Sequence, residues 1–279
     1  MNRATHRGLY LLRGRARLAF AIWLLLCAAG LSQPLRGVQS PRALFSQGVQ
    51  AYAVEDYEGA IRLLEQAIAA EPAVSEYYQW LGKAAGRRAE RSNILKAPGL
   101  ARKARLAFEK AVELDRTNVG ALNDLLDYYL EAPSALGGGE EKASAIASRL
   151  GAIDAAEGSR ADGLIAVKRR DYARAEAGFR RALDLQPRNT GRLLDLASFL
   201  ARRGRHAEAD ALFCRAASAD PNSPGLLFAW GKELGISGRD PQRARELLAR
   251  YLQSERRPDD PPPSEVRNIL KKFVDRAGA

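Results

Sequence analysis

The sequence predicts an all-α protein built from helical hairpins that repeat along most of its length. Three observations lead to this fold class. A fixed spacing of small, aromatic and proline residues recurs, steps of three and four within it place residues on one face of a helix, and a proline closes each copy. The 279 residues are 46% hydrophobic and 28% charged, a composition that is typical of a globular chain and excludes an intrinsically disordered one.

The repeat is clearest in three segments that share successive steps of 9, 3, 4, 3 and 5 residues. Small residues allow two helices to approach closely, a larger residue fills the gap between them, and the final proline cannot continue the second helix. Because such a hairpin cannot bury its apolar stripe alone, it must stack on its neighbours, which gives a solenoid. The residues that share this spacing in the three segments are Gly48, Tyr57, Ala60, Leu64, Ala67 and Pro72; Gly163, Tyr172, Ala175, Phe179, Ala182 and Pro187; and Ala197, His206, Ala209, Phe213, Ala216 and Pro221.

This signature resembles the tetratricopeptide repeat, and the resemblance implies a right-handed α-solenoid of about six hairpins followed by a C-terminal capping helix. Three further units fit with departures, since ten extra residues separate Gly82 from Ala104, five are inserted around Pro133–Gly139, and the last unit has one extra residue. The expected organisation is a signal or membrane anchor (1–31), a linker (32–40), a solenoid (41–258, with units 41–74, 75–118, 119–155, 156–189, 190–223 and 224–258) and a capping helix (264–277).

The capping helix is predicted from a proline-rich break followed by a helical apolar pattern. Ser264 is expected to cap its N-terminus, because a serine before a helix accepts a hydrogen bond from a free backbone N–H. Terminal helices of solenoids need a polar outer face for solubility. The inner residues are expected to be Val266, Ile269, Leu270 and Phe273, and the outer ones Arg267, Lys271 and Lys272.

The first 31 residues carry part of the net charge of +11. Five arginines precede an apolar run of about 14 residues, Leu18–Leu31, which is shorter than the ~20 that a membrane-spanning helix needs. This pattern predicts a secretory signal that is cleaved. An uncleaved anchor that keeps this run in the membrane, and lipidation at Cys27, are the alternatives. Removal of the five arginines lowers the net charge to +6, and the 35 Arg against 9 Lys suggest a bacterial, GC-rich genome.

The sequence offers little that would support catalysis, a cofactor or a metal site. After the signal, His206 is the only histidine, and it occupies a packing position of the repeat. Cys214 lies within a predicted helix and is expected to be a small buried apolar residue. No phosphate-loop Lys follows the glycines before Glu140. We therefore expect neither an enzyme nor a cofactor nor a metal site, and we expect no nucleic-acid binding, because bases and acids are interspersed.

The family resemblance implies that the first helix of each hairpin lines a concave groove that binds extended peptides. On the residues placed there by register, bases outnumber acids six to one, so an acidic or C-terminal peptide is the expected ligand. The alternative is that these side chains are only solvated. The function expected is an exported interaction scaffold of the periplasm or cell envelope, and the alternative is a subunit of an envelope complex anchored in the inner membrane. The residues that register places in the groove are Tyr52, Gln79, Lys83, Arg87, Asn123, Asp127, Arg160, Leu164, Lys168, Leu194, Arg202, Phe228 and Lys232.

Overall fold

In the computed structural model, which describes residues 39–277 and their side chains up to residue 272, the chain is all α-helical, as predicted. Thirteen α-helices occupy this part of the chain. Twelve of them pair into six successive hairpins, and the last is single. The helices are α1 (Pro41–Ala53), α2 (Tyr57–Ala70), α3 (Ser75–Glu90), α4 (Ala97–Leu114), α5 (Val119–Glu131), α6 (Glu140–Ile153), α7 (Ala155–Lys168), α8 (Tyr172–Leu185), α9 (Thr190–Arg202), α10 (His206–Ala219), α11 (Pro224–Ser237), α12 (Pro241–Gln253) and α13 (Pro263–Ala277).

Within a hairpin, a glycine of the first helix faces a large side chain of the second. A Cβ added at Gly48 would lie 2.9 Å from Leu64 Cγ, and one added at Gly82 would lie 2.4 Å from Phe108 Cε1. Both large side chains are buried, so any side chain at these glycines would displace part of the core. The repeated pairing of a small and a large residue is therefore what brings the two helices into contact.

The buried side chains form two apolar clusters that meet inside α7. The first runs from Phe45 to Ile165, and the second begins at Ala166 and ends at Val266 in α13. Leu164 is half-buried and packs against both clusters. Each cluster is shared by several hairpins, as expected of a stacked array in which no hairpin has a core of its own.

Several second helices begin at a residue that caps them. The carboxylates of Asp56, Asp171 and Asp240 accept a hydrogen bond from a backbone N–H three residues later. Such a bond pairs one of the N–H groups that have no partner in the first turn of a helix. These caps explain why the short polar turns between the helices end where they do.

In four hairpins the turn between the two helices takes the left-handed conformation at one residue. Gly204 and Gly238 have φ of 77° and 67°, which costs glycine nothing. In the first and fourth hairpins the residues in this conformation are Glu55 (φ 68°) and Arg170 (φ 62°). These side chains are held in a backbone conformation that glycine tolerates better.

The two insertions are accommodated differently. In the second hairpin the extra residues lengthen both helices to 16 and 18 residues, so that only residues 91–96 join them. In the third hairpin a short 3-10 turn (Ser134–Leu136) connects the helices, and the Tyr128 hydroxyl donates a 2.9 Å hydrogen bond to the carbonyl of Leu136. Most of the ten extra residues between Gly82 and Ala104 therefore lie within the helices and not in the turn.

The C-terminal helix packs on the last hairpin as predicted, except at its N-terminus; the side chain of Phe273, also predicted to face inward, lies outside the described residues. Val266 is fully buried, Ile269 and Leu270 pack against the second cluster, and Arg267, Lys271 and Lys272 are exposed. The helix begins at Pro263, so Ser264 lies within its first turn and is not its N-cap.

Cys214 was expected to be buried but is exposed, because it follows the buried Phe213 by one position and points away from the core stripe.

Candidate functional site

The first helices of the six hairpins carry all of the residues that register assigned to the groove. Side chains on successive first helices contact one another, so these helices form one continuous surface, which we call the inner face. Of the thirteen residues, Tyr52 is buried; Asp127, Lys168 and Arg202 are exposed; and the half-buried ones are Gln79, Lys83, Arg87, Asn123, Arg160, Leu164, Leu194, Phe228 and Lys232.

Near the N-terminal end of the inner face, a carboxylate joins the second hairpin to the third. Gln79 Nε2 donates a 2.7 Å hydrogen bond to Asp124 Oδ2, and Lys83 Nζ lies 3.6 Å from the same oxygen. Burial raises the pKa of Asp124 although Lys83 and Gln79 oppose this shift. The ammonium group of Lys83 also lies 5.1 Å from the centre of the Trp80 ring, a cation–π contact.

In the middle of the inner face, Arg160 bridges its two neighbouring hairpins. Its Nε donates a 3.1 Å hydrogen bond to Asp195 Oδ2, and its Nη1 lies 3.3 Å from Asn123 Oδ1. Burial alone would lower the pKa of Arg160, but the charges of Asp195, Asp127 and Glu157 reverse this effect and raise it. Arg160 is therefore a permanently charged bridge between hairpins three, four and five.

Arg192, which the register did not select, completes this network from a buried position. Its side chain is 6% exposed and is paired with Glu157 and, at 3.2 Å, with Asp195 Oδ2. Glu157 in turn accepts a 3.2 Å hydrogen bond from Asn123 Nδ2. Because each arginine contacts carboxylates of an adjacent repeat, the charges hold the hairpins in register.

The inner face is therefore less basic than the sequence indicated. Register placed six bases and one acid there, whereas the structure adds three acids, Asp124, Glu157 and Asp195, as partners of basic side chains. One predicted acid, Asp127, is also unusual. Its side chain reaches solvent, but the protein around its carboxylate displaces water and raises the pKa of Asp127 to about 6. Four of the six predicted cations, Lys83, Arg87, Arg160 and Lys232, thus already lie within 4 Å of a carboxylate of the same chain.

Two predicted cations in the C-terminal half of the inner face have no carboxylate partner within salt-bridge distance among the described residues. Lys168 ends α7 and Arg202 ends α9, and both side chains are exposed. Arg202 Nε donates to the carbonyl of Ser198 at 3.1 Å, which leaves its other N–H groups toward solvent. The nearby Glu233 is 8% exposed, and burial raises its pKa despite the opposing charges of Arg202 and Lys232.

The segment between α12 and α13 returns to the N-terminal end of the inner face. We call residues 254–264 the closing segment. Asp259 Oδ2 lies 3.4 Å from Lys83 Nζ, across 176 positions of sequence. Pro258, Pro261 and Pro262 line a narrow cavity together with Tyr52 and Tyr57. The chain that follows the last hairpin therefore reaches back to the first two hairpins.

The end of the closing segment is bound by a charged pair. The Ser264 hydroxyl donates a 2.6 Å hydrogen bond to Glu55 Oε2, and the Ser264 N–H donates to Glu55 Oε1 at 3.2 Å. Arg91, itself paired with Glu55, donates a 2.8 Å bond to the same hydroxyl. Burial tends to raise the pKa of Glu55, but the hydrogen bonds from Ser264 and Arg91 outweigh it and hold this pKa below its usual value.

Other sequence expectations concern chemistry and the membrane. Among the described residues, no three His, Cys, Asp or Glu side chains are grouped to hold a metal ion. No helix between residues 39 and 277 is long and apolar enough to cross a lipid bilayer. The predicted signal or anchor, including Leu18–Leu31 and Cys27, lies outside the described residues.

Comparison with known proteins supports the fold. No family model matches the chain, and no curated protein matches it either. A thermophilic tetratricopeptide-repeat protein from Thermus thermophilus is 23% identical over 70% of this chain and 99% of its own, with a TM-score of 0.53. A tetratricopeptide repeat protein from Parabacteroides merdae is 15% identical over 85% and 99%, with a TM-score of 0.49. The repeat signature and the first likeness establish that residues 41–277 have the fold of a tetratricopeptide-repeat solenoid.

Proposed function

We propose that this protein is an exported scaffold that binds an acidic segment of a partner protein on its concave inner face. A solenoid of this fold supports a role in protein–protein interaction. The observation that carries the acidic character of the ligand is the pair of exposed cations, Lys168 and Arg202, which lack a carboxylate partner among the described residues. Carboxylates of a ligand would form charge-assisted hydrogen bonds with these groups.

The paired cations have a different role in this proposal. Lys83 and Arg160 already contact Asp124 and Asp195, so a ligand that takes either cation must compete with an internal carboxylate. They position the inner face, whereas Lys168 and Arg202 bind the ligand. Half-buried Leu194 and Phe228 supply apolar contact on other parts of the inner face, and Gln79 and Asn123 are positioning residues of the same network.

The proposed activity is binding without any change of covalent bonds. Nucleophilic catalysis by Cys214 would need an adjacent base to activate the thiol. The one described histidine is His206, at the start of α10, eight residues before Cys214. Eight residues correspond to more than two helical turns, or about 12 Å along the axis, too far for a direct hydrogen bond.

The test is a crosslinking pull-down from the envelope fraction with Lys168→Glu/Arg202→Glu. We expect this variant to lose the partners that the native chain captures, because two attractive charges become repulsive. The matched control is Arg62→Glu/Arg188→Glu, which changes the same number of exposed charges away from the inner face. An unchanged partner set for the inner-face variant, or the same loss for the control, would refute the binding site.

Export is the second part of the proposal, and it is supported by the arginine-rich head and short apolar run of residues 1–31. The alternative is a subunit of an envelope complex that keeps Leu18–Leu31 in the inner membrane. The N-terminal mass of the mature protein separates the two. A start near Leu31 or Gln33 supports cleavage and export, whereas a chain that begins at Met1 or at a lipidated Cys27 supports anchoring.

A further inference from the structure

The closing segment occupies part of the inner face that a partner would use. We propose that the first two hairpins form a binding site for an acidic, proline-rich segment of a partner protein. In the structure described above, residues 257–264 fill that site, and the partner binds by displacing them. This inference rests on the proposed function and identifies a class of ligand for the N-terminal end of the inner face.

The first argument is that the closing segment makes the contacts of a bound peptide. Arg257 to Pro262 are not helical, and the segment contains four prolines. Residues 257–260 form a turn in which the Asp260 N–H donates a 3.1 Å hydrogen bond to the carbonyl of Arg257. Because proline fixes φ, such a segment loses little conformational entropy on binding, and aromatic-lined grooves commonly bind proline-rich segments. Here Pro258, Pro261 and Pro262 lie against Tyr52 and Tyr57.

The second argument is the chemistry of the polar contacts. Lys83 is 15% exposed and lies within 4 Å of two carboxylates, one from the array (Asp124) and one from the closing segment (Asp259). Glu55 and Arg91 together bind one hydroxyl and one backbone N–H, those of Ser264. The site thus selects for a carboxylate followed, about five residues later, by a hydroxyl.

The third argument is that these contacts are exchangeable. The Asp259 side chain is 43% exposed in its pair with Lys83, and Arg91 is 42% exposed in its contact with Glu55 and Ser264. Lys83 and Glu55 are each 15% exposed, so both ion pairs are partly open to solvent and weaker than a fully buried pair. A further bond, 2.6 Å from the Tyr251 hydroxyl to the carbonyl of Pro261, attaches the segment to the last hairpin. The advantage of the closing segment is its covalent attachment to α12, which keeps it near the site at a high effective concentration.

The fourth argument comes from the turn that carries Glu55. Its φ of 68° is a conformation for which the fifth and sixth hairpins use Gly204 and Gly238. The turn itself therefore does not require a glutamate, and glycine would adopt it with less strain. The feature that distinguishes Glu55 is its pair of hydrogen bonds with Ser264.

The experiment uses a fluorescent peptide with the sequence of residues 255–266 as the probe for the N-terminal site. The full chain carries Asp259→Lys and Ser264→Ala, which remove both contacts of its own segment and leave the binding site intact. We expect anisotropy titrations to show at least tenfold tighter binding of the peptide to this released variant than to the native chain. Addition of Lys83→Glu to the released variant should abolish the gain.

The control keeps the fold and the number of changes. Asp220→Lys and Ser218→Ala lie at the end of α10 and its following turn, where the Ser218 hydroxyl bonds only to its own helix. This control should bind the peptide as weakly as the native chain. Helical circular dichroism of all variants shows whether they remain folded.

A second pair of variants tests the closing contact without the peptide. Glu55→Gly and Arg170→Gly relieve the same left-handed turn conformation, but only the first removes contacts to Ser264. Hydrogen exchange in residues 254–264 should become faster in Glu55→Gly and stay unchanged in Arg170→Gly.

Three results would overturn the inference. They are equal peptide binding by the native and released chains, no binding by a folded released chain, and a dimer in which closing segments are exchanged between copies. The proposed function fails separately, because its test changes Lys168 and Arg202, which do not contact the closing segment. Loss of partners in that pull-down together with failure of the peptide to bind would retain the scaffold and reject this ligand class.

Discussion

Replacement of Arg192 by methionine should destabilise the solenoid at the contact between the fourth and fifth hairpins. The guanidinium group is 6% exposed and compensates Glu157 and Asp195, which are 17% and 28% exposed. Removal of one partner from a buried charge network leaves the other charges uncompensated, which typically costs ~3–5 kcal/mol.

The lower end of this range applies here for two reasons. Asp195 keeps its 3.1 Å contact with Arg160, and Glu157 keeps its hydrogen bond from Asn123. Methionine also retains most of the aliphatic contact of the arginine stem. We therefore expect the free energy of unfolding to fall by about 3 kcal/mol.

The assay is urea unfolding followed by circular dichroism at 222 nm, with the slope of the transition checked against that of the native chain. The added substitution Glu157→Gln should recover part of the loss, because it removes one uncompensated charge. The control is Arg205→Met, since Arg205 contacts the carboxylates of Glu176 and Glu208 but lies at the surface. A loss below about 1 kcal/mol for Arg192→Met, the value expected of a surface pair, would refute the reasoning.

Three further predictions test other parts of the structure. Gly158→Ala should lower the urea midpoint, because its Cβ would lie 2.4 Å from Gly151 Cα, a backbone atom that cannot move aside, and overpacking of this kind costs ~1–3 kcal/mol. The Asp127 carboxyl should titrate near pH 6 by NMR. Because folding raises this pKa, the contribution of Asp127 to stability falls as pH rises from about 4 to about 6. The Asp127→Asn substitution should therefore raise the urea midpoint at pH 7.5 but not at pH 3.5. A Cys27→Ser chain should react with one equivalent of a thiol reagent while folded, because Cys214 is exposed; no reaction before unfolding would contradict the structure.

The fold was predictable because its determinants are local and repeated. In three hairpins a small residue of the first helix precedes a large residue of the second by 16 positions, as for Gly48 and Leu64, and this pairing defines a hairpin without any long-range information. The same local pattern predicted the buried Val266 of the last helix. Cys214 was misplaced because one position along a helix rotates a side chain by about 100°, from the core to solvent.

The candidate site was predictable only in part. Register placed Arg160 and Lys83 on first helices, where the structure has them. Their acidic partners, however, lie on the neighbouring repeat, such as Asp195, which is 35 residues from Arg160. Which residues of adjacent repeats meet depends on how the hairpins stack. The contact between Lys83 and Asp259 depends further on the curvature of the whole array, which a spacing of residues does not specify.

The contacts of the closing segment also affect how the array unfolds. In an open stack of repeats, each terminal hairpin has a single neighbour, so unfolding starts by fraying from the ends. Here the first two hairpins are bonded, through Glu55 and Lys83, to the chain that follows the last one, so the stack has no free N-terminal end. Release of the closing segment therefore restores an end from which fraying can begin, and it links occupancy of this site to the cooperativity of the entire solenoid.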